Sequence, residues 1–153
     1  MTEPARLHRV HFLVVLASIL VVAGCGGGTA SSASPSPGIN FTMTAQNASG
    51  VSGTGTIVKA AGSFTVAIRL TGLKPNSSHV SHVHAGQCAQ PGGIAYALQQ
   101  VIADSSGSAT TTSTVLATYL IPTSGWYVNV HHGPDFTDAG YAPSDSCGDL
   151  SAP

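Results

Sequence analysis

The residues best equipped for chemistry are histidines, and outside the N-terminal segment they lie in two short stretches. The first is His79-Val80-Ser81-His82-Val83-His84 and the second is Val130-His131-His132. On a β-strand successive side chains point to opposite faces, so His82 and His84 share a face while Val83 takes the other. Two imidazoles placed this way form a bidentate nitrogen site suited to copper or zinc. In Trp126-Tyr127-Val128-Asn129-Val130-His131 the apolar Trp126, Val128 and Val130 alternate and mark a core face. His131 then lies on the opposite, outer face. If the two strands are neighbours, His82, His84 and His131 meet outside the core. Such a metal keeps an open coordination position, which redox cycling requires. His79 and His132 are lesser candidates, whose simpler reading is a solvent-exposed polar residue. Asp135, just after His131, is a candidate partner for its imidazole. The simpler reading of Asp135 and Asp138 is that they form turns.

Short strands must position these groups. Phe64, Val66, Ile68 and Leu70 alternate with Thr65, Ala67, Arg69 and Thr71, the strongest period-two signal in the chain. Further strands are expected at Phe41–Ala45, Thr54–Lys59, His79–His84, Ile94–Ala103, Ser108–Leu116 and Trp126–His131. Ala60-Ala61-Gly62-Ser63 reads as a hairpin turn, and Asp104-Ser105-Ser106-Gly107 as a tight turn. Strands at this spacing, joined by polar turns, predict an all-β antiparallel sandwich or barrel.

The cysteines divide by position. Arg6, His8 and Arg9 precede an apolar run from Val10 to Ala23, the pattern of a secretory signal. The run ends in Val22-Ala23-Gly24-Cys25, which resembles a bacterial lipobox. That resemblance implies cleavage after residue 24 and acylation of Cys25, which anchors the protein on the extracytoplasmic side of a membrane. Residues 25–38, rich in Gly, Ser and Pro, read as a tether, and residues 39–153 as one domain. Cys88 and Cys147 remain. In an exported domain they most simply form one disulfide, with two free thiols or a thiolate metal site as alternatives. Beyond Cys25 the chain carries Lys59, Arg69 and Lys74 against Asp104, Asp135, Asp138, Asp145 and Asp149. No basic patch is present, which argues against a nucleic-acid partner.

Two families are then suggested. Gly72-Leu73-Lys74-Pro75, His82-Val83-His84, Gly86-Gln87-Cys88, Val130-His131 and Cys147-Gly148 occur in the order seen in copper/zinc superoxide dismutases, which the domain resembles. The resemblance implies an eight-stranded Greek-key barrel, copper on His82, His84 and His131, and a Cys88–Cys147 disulfide. The chain departs from that pattern twice. Residues 89–103 contain no histidine or carboxylate, so the zinc site is missing. Ser144 stands where that family has an anion-guiding arginine. Tyr127-Val128-Asn129-Val130-His131, with the histidine pair, also resembles CHRD (chordin-type) domains, exported β-rich modules for which no catalytic role follows. The combined expectation is an envelope lipoprotein that binds copper, with weak or absent dismutase activity. The alternative is a non-catalytic CHRD-like structural or interaction module.

Overall fold

The structure, a computed structural model, describes residues 37–152. The expected signal segment 1–24, Cys25 and nearly all of the tether lie outside the described residues.

Strand β3 (Ser63–Thr71) shows how sequence becomes structure here. Its alternating Phe64, Val66, Ile68 and Leu70 are each no more than 2% exposed. The intervening residues face outward, as a period of two demands. β3 pairs along its length with β2 (Ser52–Ala60), which pairs in turn with β1 (Ile39–Ala45). The β2–β3 hairpin turns at Ala61-Gly62, where Gly62 takes a φ of 72° that suits a residue without a Cβ. Gly55 in β2 leaves room for the Phe41 ring, which a Cβ would meet at 2.0 Å.

The remaining strands are β4 (Ser78–His79), β5 (Ser81–Gln87), β6 (Gln90–Ala97), β7 (Val101–Ile102), β8 (Ala109–Val115), β9 (Trp126–His131) and β10 (Ser144–Leu150). Eight form one antiparallel sheet in the order β6-β5-β9-β10-β1-β2-β3-β8, while β4 and β7 pair separately. In the order β10-β1-β2-β3 the last strand returns beside the first, next to three strands joined in succession. The sheet curls until its two halves face each other. Phe64 of β3 packs against Tyr96 of β6 at 5.7 Å and Trp126 of β9 at 6.0 Å, and Tyr119 closes the cluster at 5.2 Å. The all-β sandwich expected from the sequence is therefore the observed architecture.

Three local expectations need correction. The stretch His79–His84 is two strands, broken at Val80, whose N–H donates to Gly133 O and whose carbonyl accepts from His131 N. Ile94–Ala103 is not one strand. β6 starts earlier, at Gln90, and the chain leaves it before reaching β7. β6 is an edge strand with most of its residues exposed, so it lacks alternation and tolerates Pro91. β10 was not expected at all, because Ser144-Asp145-Ser146-Cys147-Gly148-Asp149-Leu150 has no apolar alternation. It is nonetheless largely buried between β9 and β1.

Candidate metal centre

β5 and β9 are hydrogen-bonded neighbours, with His82 opposite Asn129 and His84 opposite Tyr127. This pairing brings the three imidazoles together. Their ring centroids are 5.7 Å (His82–His84), 5.5 Å (His82–His131) and 5.6 Å (His84–His131) apart. Each offers one ligand nitrogen, and those atoms all lie within 4.8 Å of one another. Val83 and Val130, fully buried, hold the strands from the core side.

Hydrogen bonds settle which nitrogen of two rings carries the proton and which keeps a lone pair. His84 Nδ1 lies 3.0 Å from Gly92 O. A carbonyl only accepts, so Nδ1 carries the proton and Nε2 keeps a lone pair. That Nε2 is buried without a partner, as is His82 Nδ1. His131 Nδ1 donates to Ala142 O at 2.6 Å, which leaves Nε2 with its lone pair. Asn129 Nδ2 donates to that nitrogen at 3.1 Å, and the Asn129 carbonyl accepts from Ser144 Oγ. Native proteins rarely leave buried polar atoms unpartnered. Here two of them belong to one cluster of three imidazoles, a donor type that suits a metal cation.

Burial, followed by the neighbouring His131 and His84, pushes the His82 pKa down from 6.5 to about 4. Burial also lowers that of His131, against the bond to Ala142 O that raises it. Both rings are thus neutral at pH 7, the form that binds metals. The sign of the pH effect follows. A base whose folded pKa lies below its unfolded value contributes stability above the unfolded pKa and loses it as pH falls through the folded one. The metal-free protein is expected to lose stability between pH 6.5 and about 4, and His82→Gln is expected to flatten that slope. Thermal unfolding across this range checks it, and parallel slopes in the two proteins would refute the assignment to His82.

Aromatic rings frame the site. His84 stacks on Tyr127 at 5.0 Å. Phe136, from the loop after β9, stacks on His82 at 5.6 Å and meets His131 edge-on at 4.9 Å. His131 is only 6% exposed, so the outer face of β9 is covered rather than open as the alternation implied. The covering loop contributes the Ala142 carbonyl, a backbone group that side-chain patterns do not reveal.

The lesser candidates fall elsewhere. His79 is 2% exposed, against the expectation of a surface residue. Its Nδ1 bonds His131 O at 2.8 Å and its Nε2 is hydrogen-bonded to Ser77 Oγ at 2.7 Å, so both nitrogens are engaged. It fastens the backbone of a clustered histidine without joining the cluster. The His132 side chain is 62% exposed, and its Nδ1 lies 3.0 Å from Asp145. Asp135 does not support His131. Its carboxylate accepts from Thr137 N and Oγ1, while Asp138 accepts from Gly140 N, so both act as turn formers. A cleft of about 710 Å³ is lined by His79, His132, Tyr141 and Asp145 among others, and not by the three clustered histidines. Asn129 escaped the sequence reading, although it shares the face of His131 by the same two-residue rule that found His82 and His84.

Cys88, just past β5, is disulfide-bonded to Cys147 in β10, with Cα atoms 5.9 Å apart. The disulfide expectation thus holds over its free-thiol and thiolate-metal alternatives. A curled antiparallel sandwich with imidazoles clustered across two neighbouring strands defines a β-module with a candidate metal centre. The family model described as the CHRD domain matches residues 31–134, and the chain belongs to that family. The matched segment contains all of the clustered histidines and ends before β10. No curated protein matches the chain.

Proposed function

We propose that this CHRD-domain protein is an envelope lipoprotein that binds copper through His82, His84 and His131, with weak or absent superoxide dismutase activity. One observation carries the reading: three imidazole nitrogens gathered within 4.8 Å, two of the cluster's nitrogens buried without a partner. Neutral imidazoles suit Cu(II). A bound copper would supply one-electron chemistry. The chain's own residues orient the rings: Gly92 O and Ala142 O fix the tautomers of His84 and His131. The dismutase resemblance supports the copper assignment. Ser144 and the loop beside the site support low dismutase activity. The Ser144 hydroxyl is spent on Asn129 and brings no positive charge, and the loop carries Asp135 and Asp138, so a superoxide anion gains no steering.

Titration of the metal-free protein with Cu(II), followed by spin-resonance spectroscopy, tests the site. One copper per domain with nitrogen coupling is expected. A spectrum without nitrogen coupling leaves these histidines a structural role. The second reading, a non-catalytic structural or interaction module, is favoured by the family match itself.

The anchor has its own test. Cys25→Ser removes the thiol that the lipobox presents, so the protein is expected to leave the membrane fraction or to remain unprocessed. Two acyl chains hold a protein stably where one does not. A variant of mature size that still sediments with membranes contradicts the lipobox reading.

A further inference from the structure

We infer that one end of the sandwich rests against the lipid bilayer, with Leu116 and Leu120 at the contact. The inference builds on the proposed lipid anchor at Cys25. It begins with an anomaly: Leu116 is 88% exposed and Leu120 76%, in a domain that buries its other leucines apart from Leu98, which packs against the core. They flank Tyr119, whose ring is buried against Phe64 and Trp126. The buried tyrosine fixes the loop, and the loop then holds the two leucines in solvent.

Sheet register shows which end this is. Ile39 at the start of β1 lies opposite Ile57, Ile57 opposite Val66, and Val66 opposite Ser113. The chain from the tether therefore enters the sheet on the same transverse row as Ser113. β8 continues past that row to Val115, and Leu116 follows directly. Val58, 40% exposed, and Lys59 belong to the same end, on the β2 limb of the hairpin. Thirteen residues, Gly26 to Gly38, separate the proposed anchor from β1, and Gly/Ser-rich sequences of that length span roughly 20 Å end to end. That reach keeps this end of the domain at the membrane surface.

Charge favours the same orientation. Asp104, Asp135, Asp138 and Asp145 lie towards the opposite end with Arg69 and Lys74, a net negative pole that anionic headgroups repel. Among the described residues the leucine end carries Lys59 and one carboxylate, Asp149, whose side chain accepts from the Cys88 N–H. His131 sits at the far end of β9, and His84 lies level with Tyr127 on the row of Asp149.

The full-length acylated protein, reconstituted into phosphatidylcholine/phosphatidylglycerol vesicles, tests this. An environment-sensitive fluorophore is placed at Leu120→Cys or, at the far end, at Ser105→Cys. The label at 120 is expected to shift to the blue and to be quenched by lipids bearing a quencher, and the label at 105 to keep its spectrum in water. Leu116→Asp is expected to return the label at 120 to the water spectrum. A shift that survives Leu116→Asp reports the dye's own partitioning and overturns the contact. So do two water-exposed labels on a protein whose Cys25 is acylated by mass spectrometry. An unacylated Cys25 in the exported protein overturns the anchor and this orientation together.

Discussion

His84→Ala is expected to lose copper binding more completely than any change outside the cluster. The His84 ring is held in place while keeping one nitrogen unpartnered. Its Nδ1 is tied to Gly92 O, its face lies on Tyr127, and its Nε2 is buried with no partner. Removing it deletes one of three donors and leaves a cavity lined by the other two. Loss of an outer partner alone lowers metal affinity by roughly 10–100-fold, and loss of a donor exceeds that. His82→Ala and His131→Ala are expected to behave similarly. His79→Ala should be milder, because it loosens the His131 backbone without removing a clustered nitrogen. His132→Ala should be milder still, since its side chain is mostly exposed and bonded to Asp145. Cu(II) titration against a competing chelator ranks the variants. Equal affinity in the native protein and the triple alanine variant would place the copper elsewhere.

The second large effect concerns the covalent link. Cys88 and Cys147 are separated by 59 residues. In the chain-entropy account, closing a loop of about that length restricts the unfolded chain by about 4 kcal/mol, and native disulfides in small exported domains contribute roughly 2–5 kcal/mol. Paired Cys88→Ser and Cys147→Ser substitutions are expected to lower the unfolding free energy by that amount, read by denaturant titration. The fold should survive at low temperature, because Asp149 still holds the Cys88 N–H at 2.7 Å and β5 remains paired with both neighbours. A loss under about 1 kcal/mol would mean that the unfolded chain is already compact around these two positions.

Most of what positions the cluster could be read from the chain. The two-residue spacing of His82 and His84 placed them on one face, and the apolar alternation of Trp126, Val128 and Val130 put His131 on the other side from the core. What escaped was set by tertiary partners. β10 has no apolar period because both its faces are covered, by groups the strand does not name. β6 reads poorly because it is an edge, where packing demands little of a sequence. His79 looked like a surface residue because a buried imidazole is costly unless both nitrogens are met, and the partners that meet them lie elsewhere in the chain. Asp135 stood closest in sequence to His131, yet the carbonyl that supports the ring comes from Ala142, brought back by the covering loop.

The Cys88–Cys147 bond joins the end of β5 to β10, and β9 lies between those two strands. A metal on His82, His84 and His131 would tie β5 to β9 as well. Both fasteners fall in the β6-β5-β9-β10 half, and the β1-β2-β3-β8 half is held by ladder bonds and side-chain packing alone. The molecule is thus unevenly sewn. Local opening should begin at the β8 margin, where only β3 pairs along the strand. Amide hydrogens of β9 should exchange last, since every residue of that strand is buried. Reducing the disulfide should narrow this difference in exchange between the two halves, and occupancy of the histidines by a metal should widen it.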